Sequence, residues 1–363
     1  MNCIDETLSF LNEKPRETRV VVLPDFFLDR LVNLTCEPSQ FSELMRKVVE
    51  HKGGSVDGIA QTDFAGGNAI NTASGLAKFN VRITPIICTN KIGEKQLRSR
   101  LKGRDIDLSH IKLRPRPSLT TALEFKTESG KTNMMLRDVG SLADFGPEDL
   151  TNDDYQSIEE ADYVSLFNWA GTKKYGTQLA ATVFSWVKSK GKGKTYYDTA
   201  DPKPNIEGVP ELLEKVLRTP QVDVLCVNEN EAATYAKYLD KKRLAEVSQT
   251  SFSEFALESA RILARSLRAR IDLHTTDFSA TLTSKKETIV PTFDIKPLRA
   301  TGAGDAWNAG NILADANGLS DECRLTLANA VSACYLSDPE GMHPTRQRLI
   351  KFFKNCRLLR CKS

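Results

Sequence analysis

Residues 299–310 read RATGAGDAWNAG, and three small residues, Gly302, Ala303 and Gly304, lead directly into an acid, Asp305. ILADANGL follows with helical periodicity, so the small residues and the carboxylate stand where a helix begins. The first amides of a helix have no intrahelical acceptor and bind anions, and small residues let a phosphate come close to them. An acid at the same place can take the proton of a hydroxyl that attacks that phosphate. The plainer alternative is a tight glycine turn with Asp305 as an N-cap. A dinucleotide fingerprint is a poor fit, because Trp307 stands where the third glycine is required and the loop lies near the C-terminus. The GK[ST] ending of a Walker A loop is absent.

Upstream of this stretch, short β-branched runs alternate with helical patterns. TRVVVLPDF, NVRITPIICT, ADYVSLFN, KTYYDTA, VDVLCVNE and ARIDLHTT predict strands that are apolar on both sides. NTASGLAKF, TQLAATVFSWVKSKG, PELLEKVLR and SEFALESARILARSLRA predict helices between them. That order implies an α/β fold with a doubly wound, mostly parallel sheet flanked by helices, with ligands beyond the carboxyl ends of the strands. Residues 112–137 break the order: SLTTALEFKT and KTNMMLR flank ESG, a hairpin with Gly130 at its turn. Together with the poorly patterned residues 31–61 it predicts a small β lid.

Bulk composition excludes several function classes. The chain has 363 residues, 40% hydrophobic and 27% charged, with a net charge of +3. Neither nucleic acid nor a membrane surface is expected of such a balance. The N-terminal residues carry acids where a signal peptide needs an apolar run. Eight scattered cysteines without a CxxC pair indicate reduced thiols and a cytoplasmic protein. The C-terminal TRQRLIKFFKNCRLLRCKS reads as a basic amphipathic packing helix.

Three more stretches bear on chemistry. AGGNAINTASGLAKF sets Gly67, Asn68 and Asn71 at a helix start, where amides suit the hydroxyls of a polyol and also suit a capped turn. VLCVNENEAATYAK ends a strand at Asn228, with Glu231 three residues on. This spacing fits either the water shell of Mg²⁺ or a capping box. LPDFFLDRLVNL places Asp25 and Asp29 at the end of the first strand, as acceptors for sugar hydroxyls or as turn residues.

In order and spacing these motifs resemble the PfkB (ribokinase-like) carbohydrate kinase family, from about residue 19 to residue 344. GGNAIN looks like its first signature, TGAGDAW like its second, and NENE like its N-x-x-E motif. The hairpin at SGKT, followed by SLADFGPEDL, is similar to its lid. The resemblance implies one kinase domain over residues 19–363, with residues 1–18 as an extension. It implies an Mg²⁺-dependent transfer of the γ-phosphate of a nucleotide, ATP or another donor, to a sugar or sugar-like hydroxyl. A nucleoside or sugar phosphate as acceptor, or a non-catalytic binding protein that keeps the fold, are its alternatives. Asp305 becomes the base, Gly302, Ala303 and Gly304 the anion hole, and Asn228 and Glu231 the support for the metal. Asp29, Gly67, Asn68 and Asn71 bind the acceptor, His274 and Thr276 the donor, and lids pair between subunits in a homodimer.

Two departures stand out. The family usually has Asp-Thr before the loop, and the Asp helps many members hold a monovalent cation; here the pair is Arg299-Ala300. An arginine cannot ligate K⁺, but its charge can replace one. The family's nucleotide loop has glycines that residues 274–279, HTTDFS, lack. Arg114, Arg116, Lys131 and Arg137 near the lid are candidates to hold a substrate phosphate.

Overall fold

The computed structural model describes residues 3–13, 16–128, 130–247, 249–299 and 301–355. Fourteen strands follow one another among the described residues. The first eight are β1 (Arg19–Leu23), β2 (Phe27–Asn33), β3 (Ala60–Gly66), β4 (Arg82–Pro85), β5 (Cys88–Thr89), β6 (Lys112–Leu113), β7 (Ser118–Thr127) and β8 (Gly130–Asp138). The rest are β9 (Tyr163–Phe167), β10 (Lys194–Asp198), β11 (Val224–Asn228), β12 (Arg270–His274), β13 (Phe278–Leu282) and β14 (Glu287–Pro291).

The main sheet has eight strands in the order β14-β13-β12-β11-β10-β9-β1-β4, parallel from β4 to β12. Its apolar strands follow from burial on both faces. In β1, Val21 and Leu23 enter one core while Val20 and Val22 enter the other, so each pleat direction meets its own layer of helices. The two antiparallel strands at the edge, β13 and β14, are absent from the sequence reading. No glycine marks the turn into β13; the Thr275 hydroxyl instead accepts from the amides of Asp277 and Phe278 and closes it.

A second, four-stranded sheet, β3-β2-β7-β8, stands where the lid is expected. It takes in more of the first segment than expected. β2 starts at Phe27, and β3 runs to Gly66, beyond the 31–61 interval. Lys112 and Leu113 pair instead with Cys88 and Thr89, so the lid's second part begins at Ser118. Asp29 consequently lies inside a lid strand, not at the end of β1 as its sequence position suggested. The helix Pro38–Glu50 covers part of the outer lid face through Phe41 against Phe125 (5.7 Å between rings). Leu119, Met134 and Leu136 remain exposed on that face.

The helix Arg346–Asn355 buries Leu349 and Phe353, and Arg346 donates to the carbonyls of Phe10 and Leu11 at the end of the helix Cys3–Asn12. That is the packing role its basic amphipathic pattern predicts; residues 356–363 lie outside the described ones. The six described cysteines are free. No helix among the described residues is long and apolar enough to cross a membrane.

Candidate active site

Parallel topology brings the carboxyl ends of β1, β9, β10 and β11 to one edge, and two helices start there, Asn68–Leu76 and Ala303–Ala316. Gly302 is the N-cap of the second helix at φ 81°. A side chain there would be strained and would stand 2.6 Å from the Tyr335 hydroxyl. Asp305 is therefore not the cap: it is the third helical residue, turned into the cleft. Its two oxygens accept from Asn68 Nδ2 (2.9 Å) and Asn71 Nδ2 (2.8 Å). Burial pushes this carboxyl up to about 8; the two asparagine amides oppose the rise, and the charges of Asp198 and Asp25 add to it.

The GGN helix start has its own logic. Gly67 sits at φ 99°, and a Cβ there would press on the Asp25 carbonyl at 2.9 Å. A Cβ on Gly66 would collide with the Asp29 carboxylate. The first helical amides, of Asn68 and Ala69, donate to Asp25 (2.8 Å each), and Asn168 Nδ2 adds a third bond at 3.0 Å. Asp25 thus caps this helix across the chain and fixes the two asparagines beneath Asp305. Burial raises the Asp25 carboxyl, and these three bonds oppose it. Asp29 differs: its Oδ1 is buried without a partner. Desolvation raises its carboxyl, and the Thr120 hydroxyl and the Arg137 charge act in the other direction. An orphaned buried acceptor at a cleft is what a ligand hydroxyl satisfies.

Asn228 and Glu231 form a closed capping box. Glu231 accepts from the Asn228 amide N–H (2.9 Å) and from its Nδ2 (2.8 Å), while Asn228 Oδ1 accepts from the amides of Asn230 and Glu231. Beside it, Asp198 ends β10, with Asn308 Nδ2 on one oxygen at 2.6 Å and the Ala200 amide on the other at 3.0 Å. Both acids are buried, burial raises both, and the charge of Asp198 raises Glu231 further. Sequence reasoning passed over Asp198, although an acid closing an apolar strand at the ligand edge is a usable signal. No group of three or more His, Cys, Asp or Glu among the described residues forms a metal cage.

On the far side of the helix start, His274 lies against Trp307 (5.2 Å) and comes within 3.2 Å of where a Gly304 Cβ would be. Burial lowers its pKa to about 4, so the ring is neutral. Trp307, at the failed glycine position, is a core residue bonded to Ser279 and Asn329. Thr276 is exposed on the β12–β13 turn. Arg299 does not reach the loop directly. Its guanidinium donates to the carbonyls of Asp338 (3.0 and 3.3 Å) and Pro339 (3.0 Å) and lies over the Tyr335 ring, whose hydroxyl flanks Gly302.

The pfkB family carbohydrate kinase model matches residues 41–348. The chain belongs to the pfkB carbohydrate kinase family. Ribokinase of Bacillus subtilis is 39% identical over 67 residues, which is 18% of this chain and 22% of ribokinase's length. An Arabidopsis thaliana ribokinase complexed with ribose and ATP superposes with a TM-score of 0.67 at 18% identity, covering 93% of this chain and 99% of that one. Adenosine kinase from Sinorhizobium meliloti gives the same TM-score, identity and coverages. At that identity the likeness establishes the ribokinase-like fold.

Proposed function

We propose that this pfkB-family protein transfers the γ-phosphoryl group of a nucleotide, ATP in the first instance, to a hydroxyl of a sugar or sugar-like acceptor. The observation that carries the reading is Asp305, held by Asn68 and Asn71 at a helix start that has no side-chain cap among the described residues. Each Asp305 oxygen has a second acceptor position beyond its asparagine. The acceptor hydroxyl donates there and gives up its proton as it attacks, and the Ala303 and Gly304 amides at Gly302's turn receive the transferring group's charge. Asp29 holds another hydroxyl on its unpartnered oxygen. His274, as a neutral ring, and Thr276 border the donor side. The ribose and adenosine named for the two kinases above keep sugars and nucleosides both in view as acceptors. Turnover of a panel of sugars, nucleosides and sugar phosphates, each with ATP and with ADP, tests the assignment; no transfer to any of them would leave a ligand-binding protein.

The buried carboxylates of Asp198 and Glu231, with the half-buried Asn228 beside them, fit Mg²⁺ held through water, since this ion keeps several waters. A bound Mg²⁺ would neutralise phosphate charge. The expected result for Glu231→Gln is a higher Mg²⁺ concentration for half-maximal rate, about 10-fold or more. An unchanged Mg²⁺ titration would reduce Glu231 to its capping role.

Protonation sets a second test. Asp305 acts only when ionised, and its carboxyl is raised to about 8. In the free enzyme, kcat/KM therefore falls as pH drops through that value, and a profile flat from pH 6 to pH 9 would contradict a base role.

A further inference from the structure

The lid carries one arginine that its own fold does not use. Strand register sets Phe64, Asp29, Thr120 and Arg137 in one row across β3, β2, β7 and β8, and residues directly paired share a face of the sheet. Arg137 therefore stands on the face that carries Asp29. Its guanidinium leans back over the Phe27 ring, 5.0 Å from the centroid, two residues before Asp29 on β2. Its charge acts on both Asp25 and Asp29, yet it lies within ion-pair distance of neither.

Three neighbouring arginines are already paired. Arg30 pairs with Asp63, Arg114 with Asp149 and Arg116 with Asp138. The Lys131 side chain lies outside the described residues. Arg137 forms no ion pair or hydrogen bond among the described residues and is exposed. An exposed arginine is ordinarily just solvated. Here the aromatic face fixes the group beside the orphaned acceptor of Asp29, with its fork of donors open. A guanidinium in that position matches carboxylate or phosphate by paired hydrogen bonds.

We infer that the acceptor is a polyol bearing an anionic group, a carboxylate or a phosphate, which Arg137 grips while Asp29 takes a hydroxyl. The inference rests on the kinase reading and narrows its substrate class. A neutral sugar or nucleoside fills only the Asp29 half of this site.

The experiment uses the full chain with matched sets: ribose, ribonate and ribose 5-phosphate, then glucose, gluconate and glucose 6-phosphate. Each is assayed for phosphoryl transfer from ATP and for binding by calorimetry. The expected result is an anionic member at least about tenfold above its neutral counterpart in kcat/KM. Arg137→Gln should raise KM for that acceptor about tenfold to hundredfold, with kcat, the KM for ATP and the KM for neutral acceptors within about twofold. Arg137→Lys keeps part of the preference. The aldonate and phosphate arms distinguish the two anions. Equal or better use of the neutral members overturns the inference, as does an Arg137→Gln defect of the same size for every acceptor. Failure of the kinase reading looks different: the anionic ligand binds wild type, binding is lost in Arg137→Gln, and no acceptor is phosphorylated. If no anionic member binds or reacts, the inference falls.

Discussion

Asp305→Asn is expected to lower kcat by about 10²–10⁴-fold, the usual cost of losing a general base, the role proposed for Asp305, and to leave acceptor and nucleotide affinities within a few fold. The amide keeps the shape of the carboxylate and one acceptor oxygen for Asn68 or Asn71, but it cannot take a proton. Stability provides the folding control. Folding raises the Asp305 carboxyl from its usual range to about 8, so the native state binds this proton more tightly than the unfolded chain does. Its stabilising effect is complete below pH 4 and is lost as pH rises through about 8. The Asn variant lacks that loss and should melt above wild type at pH 8.5, with the gap closing toward pH 5. Near wild-type turnover in the variant would remove Asp305 from the chemistry, and a lower melting temperature at every pH would mean a packing defect.

Arg299 should give the second large effect. Three hydrogen bonds tie its guanidinium to the carbonyls of Asp338 and Pro339, and a Cβ on Gly341 would collide with it. These carbonyl oxygens accept from the guanidinium, whose charge is proposed to stand in for a monovalent ion. Tyr335 lies between the guanidinium and Gly302, which places the guanidinium one ring behind the turn proposed to bind the phosphate. We predict equal wild-type rates in Na⁺, K⁺ and tetramethylammonium at matched ionic strength. Arg299→Asp should lose about 10²-fold in kcat, in the range for removing one preorganised electrostatic contact, and K⁺ should restore part of it. Strong K⁺ stimulation of wild type would sink the idea. A variant as active as wild type in every salt would make Arg299 only a fastener of the 338–341 turn.

Much of this site was legible in the sequence, and the limits have physical causes. Local signals carried well: apolar runs such as VDVLCVN mark strands buried on both faces, and GAGD before a helical pattern marks a bare helix start. Contacts between distant segments did not carry. Asp25 looks like a strand-end acid, and only the fold shows it capping the helix that begins at Asn68. Asp198 and Asn308 meet across 110 residues, and nothing in either segment announces the partner. Asp29 was placed by proximity to β1, whereas the chain turns within three residues and starts a lid strand. The edge pair β13–β14 escaped because a threonine hydroxyl does the work that a turn glycine advertises.

³¹P NMR of the protein with ATP, Mg²⁺ and the best-binding acceptor of the panel follows the proposed transfer directly. The expected product is a phosphate monoester on an acceptor hydroxyl, appearing one for one with ADP and at least about 100-fold more slowly with Asp305→Asn. ATP consumed to inorganic phosphate without an ester, or ATP left intact beside a tightly bound acceptor, would contradict it.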